Sequence, residues 1–193
     1  LWVARYNGTA NGSDQGYAIA VDNSANVYVT GSSTGVGTYQ DCTTIKYAPD
    51  SNEPAWVARY NGPGNGYDWG VDIAAGDSCD VCVVGISEGS GTDFDYVIIK
   101  YGPDSNQATW VARYNGASNG DDQAIAVVLD RCGNIYVSGK SEGYTPGYNY
   151  ATIKYDPNGV ELWATRYESA SSPVGVAVDQ AGNVYVAGWS LDT

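Results

Sequence analysis

The sequence Trp-Val-Ala-Arg-Tyr stands at residues 2–6, 56–60 and 110–114, and a variant, Trp-Ala-Thr-Arg-Tyr, stands at 163–167. The tryptophans of these four copies lie 54, 54 and 53 residues apart. This period is too long for one strand or hairpin and is typical of a four-stranded sheet repeated around an axis. The chain of 193 residues is therefore expected to be one unit repeated.

Three further short segments recur between successive Trp motifs, each bounded by Gly, Asn, Asp or Pro, as strands joined by tight turns are. In the first unit they cover 17–21, 27–31 and 43–47. The connection between the first two reads Asp22-Asn-Ser-Ala-Asn26, which favours an Asx-type turn with Gly or Asn in the left-handed conformation. Connections this short make neighbouring strands antiparallel. The sequence thus predicts an all-β fold, a β-propeller of four-stranded antiparallel blades.

The predicted blade units follow the Trp spacing within a single domain, 1–193, with 1–6 as an isolated last strand of another blade. They cover residues 17–60, 69–114, 124–167 and 174–193. This gives three complete blades and a partial terminal one. Three ways to complete the ring remain open: a longer propeller of which this is a fragment, completion by neighbouring copies, or a small closed ring of four sheets. Unpaired strand edges favour association in the first two cases.

Side chains alternate along a strand, so the Trp and Tyr of each motif share one face and the Arg lies on the other. Stacking of blades would bury that aromatic face, which we expect to be the main source of stability. The Arg is expected to hold blades together through ion pairs or ring contacts. The structural repeat residues are Trp2, Trp56, Trp110, Trp163, Arg5, Arg59, Arg113, Arg166, Tyr6, Tyr60, Tyr114 and Tyr167.

Several motifs resemble a known family. They are Ala-Ile-Ala-Val-Asp at 18–22, Gly-Asn-Val-Tyr-Val-Ala-Gly at 182–188, Ala-Thr-Ile-Lys-Tyr-Asp-Pro-Asn-Gly at 151–159 and the Trp motif itself. Together they resemble, over essentially the whole chain, the SBBP repeat, a propeller blade motif of secreted and surface prokaryotic proteins. The resemblance implies a seven-bladed propeller, about twice the length of this chain, and a place outside the cell or on its surface. It implies no activity, since propellers serve as enzymes, lectins and scaffolds.

Charge excludes several classes of partner. Nine basic against 22 acidic residues leave a formal charge of −13, which would repel nucleic acid and the anionic surface of a membrane. No apolar run approaches the roughly 20 residues of a membrane span. Because the sequence starts at Leu1 inside a repeat motif, any secretion signal is expected to have been removed or to lie outside this chain.

No catalytic residue is nominated, because the chain has no His and so excludes Ser-His-Asp and Cys-His arrangements. The distinctive residues repeat, which leaves no unique cluster for one reaction. We therefore expect a non-enzymatic extracellular or cell-surface scaffold that assembles with itself, as an oligomer or fibre, through blade faces and open strand edges. Surface proteins or glycans are further candidate partners, and a glycan hydrolase with paired carboxylates is the less favoured alternative.

A carbohydrate-binding propeller is the main alternative to a scaffold. Trp69 and Trp189 occur once each, outside the repeat motif, and together with Asp68 they are the candidate ligand-binding residues. Asp68 also belongs to a recurring set with Asp14 and Asp122, for which a turn cap or an ion pair with the repeat Arg is the simpler interpretation. No cofactor or bound metal is expected, apart from weak Ca²⁺ association at acidic turns.

The four cysteines, Cys42, Cys79, Cys82 and Cys132, allow three pairings. In an oxidising compartment Cys42 with Cys82, or Cys79 with Cys132, would cross-link neighbouring blades, and four inert thiols are the alternative. Zinc is not expected, because the Cys-x-x-Cys at 79–82 has no His or second pair to complete a site.

Two sequons share one loop, Asn-Gly-Thr at 7–9 and Asn-Gly-Ser at 11–13. Asn7 and Asn11 are therefore candidate glycosylation sites if the protein passes through a glycosylating export route.

Overall fold

The computed structural model describes residues 2–77, 80–144, 147–168 and 171–190, and within these ranges all regular secondary structure is β-strand. The strands are β1 (Asp14–Val21), β2 (Val27–Thr34), β3 (Gln40–Tyr47), β4 (Pro54–Tyr60), β5 (Asp68–Ala75), β6 (Val81–Glu88), β7 (Phe94–Tyr101), β8 (Ala108–Tyr114), β9 (Asp122–Leu129), β10 (Ile135–Glu142), β11 (Tyr148–Tyr155), β12 (Glu161–Tyr167), β13 (Ser171–Val178) and β14 (Val184–Ser190). Across the described ranges no helix is long and apolar enough to span a bilayer.

The strands form four antiparallel sheets in chain order: β1–β4, β5–β8, β9–β12 and the pair β13–β14. The prediction of an all-β propeller with three complete four-stranded blades and a partial one is confirmed. The complete sheets begin at Asp14, Asp68 and Asp122, one to three residues earlier than the sequence predicts. These aspartates are themselves the first paired residues of β1, β5 and β9, the first strand of each complete sheet.

The predicted Asx turn forms between β1 and β2. Asp22 Oδ1 accepts hydrogen bonds from the backbone amides of Ser24 and Asn26, both at 2.9 Å, and Asp22 Oδ2 accepts from the Tyr28 hydroxyl at 3.0 Å. The left-handed residue is not Gly or Asn, as the sequence predicts, but Ala25, with φ of 61°. The same hydrogen bonds recur around Asp130 and Asp179, where Gly occupies the left-handed position.

Each sheet packs face to face on the next, and two hydrophobic clusters fill the interfaces around the second sheet. We call the side of a sheet that meets the preceding sheet its front face, and the other side its rear face. At the first interface, Tyr28 and Cys42 on the rear face of the first sheet share a cluster with Ile73, Val83 and Ile99 of the second. At this first interface, aromatic and small side chains of the rear face thus meet branched aliphatic side chains of the front face in a close-packed, apolar contact.

Residues 2–6 differ from the prediction. The sequence predicts a strand over 1–6, but residues 2–6 form no strand, and residue 1 lies outside the described residues. In the repeat each Trp strand pairs with the third strand of its own sheet, and residues 2–6 have no such partner among the described residues. Residues 2–6 instead lie against the front face of the first sheet, where Trp2 packs on Tyr47 with ring centroids 5.6 Å apart.

Candidate functional site: uncovered blade faces and an aromatic row

The repeat tryptophans lie at the junctions between blades. Trp56 Nε1 donates to the carbonyl oxygen of Pro103 in the next repeat at 3.3 Å, and its ring packs on Tyr101 at 5.6 Å. Trp163 in the last complete sheet is 36% exposed, because the pair β13–β14 covers less of it than a full sheet covers Trp56. The same tryptophan-to-carbonyl bond joins Trp2 to Pro49 and Trp110 to Pro157, both at 3.1 Å.

The repeat arginine ties its own sheet to the preceding one. Arg113 Nη2 lies 2.7 Å from Asp95 Oδ2 and donates at 3.0 Å to the carbonyl oxygen of Ser87, while its Nη1 donates to the Tyr60 hydroxyl at 3.1 Å. Because Tyr60 belongs to the preceding sheet, this one side chain spans a blade junction. The same contacts join Arg59 to Asp41 and Tyr6, and Arg166 contacts Tyr114. Arg5 and Tyr167, at the outermost positions of this series, are exposed.

Asp68 is fully buried and acts within the loop that leads into β5. Its Oδ2 accepts a hydrogen bond from the Gly62 amide at 2.9 Å. Burial raises the pKa of Asp68, and the hydrogen bonds from Ser87 and Gly62 offset only part of that shift. The carboxylate is therefore not available on the surface beside Trp69. Asp14 and Asp122 hold the equivalent loops through Gly8 and Gly116.

The two sequon asparagines form part of a repeated loop. Asn7 Nδ2 donates to Asn11 Oδ1 at 2.8 Å, and both residues are exposed. The same bond at the same length occurs at 61–65 and 115–119, where no sequon is present. The hydrogen bond therefore belongs to the loop of every complete blade, and glycosylation of Asn7 or Asn11 stays a prediction.

Cys42, Cys82 and Cys132 are free thiols, and Cys79 lies outside the described residues. Cys42 and Cys82 are fully buried, and burial raises the pKa of each to about 12. Neither thiol is paired with the other, so the structure offers no support for a Cys42–Cys82 disulfide. Cys132 is exposed in the turn before β10. In the described part of the chain no three His, Cys, Asp or Glu side chains are grouped as metal ligands.

Two blade faces are uncovered in this chain. On the front face of the first sheet Ile19 is 67% exposed, and the space between this face and residues 2–6 is an open groove of about 370 Å³. On the rear face of β13–β14, Tyr185 is 57% and Trp189 is 54% exposed. Ala187 lies exposed between them. Trp189, one of the two predicted ligand-binding tryptophans, thus belongs to the uncovered rear face.

Trp69, the other predicted tryptophan, is part of a surface row of four aromatic side chains at the junction of the first two sheets. We call Tyr39, Tyr67, Trp69 and Phe94 the aromatic row. Their consecutive ring centroids are 4.9, 5.7 and 5.6 Å apart, and the rings of Trp69 and Phe94 are stacked. Tyr39 and Tyr67 are exposed, whereas the other two are half-buried. Trp69 and Trp189 therefore lie on different surfaces.

Sequence reasoning missed the other three members of this row. Tyr67 stands where the repeat has Ser13 and Asp121, and Phe94 is the single Phe of the chain. Departure from the repeat was the available signal, because a side chain found in one blade only is not required to form a blade. That signal singles out Trp69, and Tyr67 two residues before it departs from the repeat as well.

The family model of the SBBP β-propeller repeat matches residues 2–37 and 162–192. These stretches lie in the first and last repeats, and the residues between them carry the same motifs at the same period. A comparison with curated proteins gives no match.

Proposed function

The chain belongs to the SBBP-type β-propeller repeat family, and from that premise we propose that it is a non-enzymatic extracellular or cell-surface scaffold that assembles with itself head to tail. The observation that supports this proposal most directly is the match between its two uncovered faces. The front face of one copy and the rear face of another carry the residues that meet at the internal junctions.

The front face of the first sheet has the residues that a buried front face needs. Ile19 occupies the position of Ile73, which is only 6% exposed at the first internal junction. Val29 and Ile45 line the open groove at the positions of buried Val83 and Ile99. Val29 is half-buried and Ile45 is already buried, so Ile19 is the side chain that a docking copy would cover most. Burying such side chains yields roughly 25 cal/mol per Å² of apolar surface, so an uncovered face of this kind favours association.

The rear face of β13–β14 has the complementary residues. Tyr185 occupies the position of Tyr28 and Tyr136, which are fully buried at internal junctions. Its hydroxyl is held by Asp179 at 3.0 Å, as the Tyr28 hydroxyl is held by Asp22, so the ring is already positioned for packing. Less reorganisation on docking costs less free energy.

Strand positions also fit this arrangement. Trp2 bonds Pro49 as Trp56 bonds Pro103, so residues 2–6 already occupy the place of a preceding blade's last strand. The pair β13–β14 of another copy supplies the first two strands of that blade. Three of four strand positions are then filled at one junction. Such a contact is heterologous, and it leads to rings when the rotation closes and to filaments when it does not.

The test uses one charge on each face of the 193-residue chain. Ile19→Glu disables the front face and Tyr185→Glu disables the rear face, because each buries an unpaired carboxylate on docking. In sedimentation velocity over a concentration series, the wild type is expected to associate and each variant alone to stay monomeric. An equimolar mixture of the two variants retains one intact front face and one intact rear face, so it is expected to form a 1:1 dimer and nothing larger.

Val36→Glu is the matched control, because Val36 is exposed in the loop between β2 and β3, away from both faces. It is expected to associate like the wild type. A wild type that stays monomeric at every concentration would refute the proposal. So would a mixture of the two variants that forms no dimer, because mixing restores a contact between a front face and a rear face if such a contact exists.

A further inference from the structure

We propose that the aromatic row is a binding site for a neutral oligosaccharide. This goes beyond the scaffold role, because the row lies at the junction of the first two sheets and uses none of the residues of the uncovered faces. The row consists of Tyr39 from the loop before β3, Tyr67 from the loop before β5, Trp69 in β5 and Phe94 at the start of β7.

The fold does not need this row. Gln stands at the position of Trp69 in the first and third sheets, as Gln15 and Gln123. The position of Phe94 is held by Gln40 in the first sheet and by Tyr148 in the third. Those sheets have the same strands and register. Among the described residues, a row of four rings in contact occurs at this junction alone, so blade packing does not explain it.

The rings are pre-organised as a platform. Each ring contacts the next at a centroid spacing of 4.9 to 5.7 Å, with 28° to 41° between neighbouring ring planes. Trp69 Nε1 also donates to Gln40 Oε1 at 2.8 Å, which fixes the indole. The apolar C–H face of a sugar ring packs on such rings with little loss of side-chain freedom, because the rings are already held.

Polar groups flank the platform at hydrogen-bonding distance from its backbone. Glu88 Oε2 accepts from the Tyr67 amide at 3.1 Å, and Asp121 Oδ1 accepts from the Phe94 amide at 3.5 Å. Carboxylates and amides beside aromatic rings are the groups that recognise sugar hydroxyls. The same carboxylates and the net charge of −13 repel anionic ligands, which leaves neutral sugars as the class that fits.

A hollow beside the row enlarges the platform. Tyr17, Trp69 and Val71 line an open hollow of about 420 Å³. Tyr17 and Val71 are the extra residues of β-bulges, since the register shifts between Gly16 and Ala18 in one strand and between Gly70 and Asp72 in the other. Bulges re-aim side chains and are common beside binding sites. The Tyr17 hydroxyl, held by Gln15 at 2.6 Å, adds a polar group at the rim.

Native affinity electrophoresis tests the proposal with four neutral polysaccharides (hydroxyethylcellulose, laminarin, galactomannan and arabinoxylan) and with anionic polygalacturonate. Wild-type protein is expected to be retarded by at least one neutral polymer and not by polygalacturonate. Trp69→Gln is expected to weaken that retardation about tenfold or more, which corresponds to the loss of one stacking contact. Because the first and third sheets have Gln at this position, the variant is expected to fold, and its thermal unfolding midpoint checks that.

Trp189→Ser is the control, because Trp189 is an exposed tryptophan outside the row and Ser32 holds its position in the first sheet. It is expected to bind like the wild type. Running the assay also in the Ile19→Glu background separates this site from assembly, whichever way the assembly test turns out. Retardation by none of the neutral polymers, or equal retardation of Trp69→Gln, overturns the proposal. Loss of self-association in Trp69→Gln without sugar binding would assign the row to contacts between copies.

Discussion

The internal junctions and the two uncovered faces of the chain carry the same residues in opposite surroundings. Ile73 of the second sheet is 6% exposed, whereas Ile19, at the same position of the first, is 67% exposed. Tyr136 is fully buried, whereas Tyr185, at the same position of the last sheet, is 57% exposed. The backbone register is the same in each pair. Burial in this fold is therefore supplied by the neighbouring blade and not by the sheet itself.

This difference separates two sources of stability that a repeat protein usually mixes. Hydrogen bonds inside a blade are present in every sheet, covered or not. Packing between blades is present only where two sheets meet. Repeat proteins are stabilised by such a sum of unit and nearest-neighbour terms. Matched substitutions at equivalent positions can therefore measure each term in one chain.

The largest expected effect comes from truncating the same isoleucine in both settings. Ile73→Ala leaves a cavity in the cluster between the first two sheets and is expected to lower the free energy of unfolding by about 3 kcal/mol. Ile19→Ala removes a side chain that is mostly in water and is expected to cost less than about 0.5 kcal/mol in the dissociated chain. Urea unfolding followed by tryptophan fluorescence at low protein concentration measures both.

Measuring both variants over a range of protein concentrations extends this comparison. If a second copy covers the front face, the cost of Ile19→Ala is expected to grow as the protein concentration rises, because stability then includes association. The cost of Ile73→Ala is expected to stay constant. Equal losses for the two variants in dilute solution would show that burial at the internal junction does not carry the packing energy.

The turn aspartates come next, because Asp22 and Asp179 accept the same set of hydrogen bonds in covered and uncovered settings. Asp22→Asn keeps the backbone bonds to Oδ1 but replaces the acceptor of the Tyr28 hydroxyl and of the Asn26 amide. The buried Tyr28 hydroxyl and the half-buried Asn26 amide then lose this acceptor, with an expected cost of about 2 kcal/mol at pH 7. Asp179→Asn is expected to cost clearly less, because water can replace the carboxylate around exposed Tyr185.

The pH dependence of this difference follows from the pKa of Asp22. Burial raises that pKa, but the hydrogen bonds from Asn26, Tyr28 and Ser24 outweigh it and leave the pKa of Asp22 below its ordinary value. A depressed carboxyl pKa adds stability above the unfolded pKa of about 3.9, and that stability is lost as the pH falls through the lower, folded pKa. The gap in melting temperature between wild type and Asp22→Asn should therefore shrink below about pH 3.9. A gap that is constant from pH 7 to pH 3 would contradict a role for the ionised carboxylate.

The repeat made most of the fold predictable from the sequence. Strand order, antiparallel pairing and the Asx turn at Asp22 depend on local spacing and turn chemistry, which the sequence displays directly. The strand predicted over 1–6 was wrong because strand formation needs a paired neighbour, and spacing alone does not show whether one is present. The prediction of Gly or Asn at the left-handed position of the first turn was wrong for a different reason, because Ala has no local preference for positive φ and Ala25 adopts it nonetheless.

The surfaces were less predictable than the fold. Trp69 stood out because it breaks the repeat. Phe94 comes from β7 of the same sheet and Tyr39 from a loop of the preceding sheet, so the stacking of blades completes the row. Asp68 is adjacent to Trp69 in sequence, yet alternation along the strand turns its carboxylate into the buried loop. Contacts between blades depend on the angle between sheets, which no residue pattern in this chain encodes.

The smallest expected effect concerns the same turn in covered and uncovered sheets. Ala25 adopts φ of 61°, whereas Gly133 and Gly182 take the equivalent positions with φ of 78° and 83°. The left-handed conformation costs an L-residue about 1 to 2 kcal/mol, and Gly would remove that cost. Part of the gain in stability is offset by the greater freedom of Gly in the unfolded chain. Ala25→Gly is therefore expected to stabilise the protein by about 0.5 to 1 kcal/mol, a rise of about 2 °C in melting temperature. Ala181→Gly, one residue before the left-handed position in the uncovered turn, serves as the control and should bring no gain, because Gly182 already relieves the strain there. A melting temperature for Ala25→Gly at or below that of the wild type would mean that packing of the first sheet on the second, and not the turn residue, sets the conformation of this hairpin.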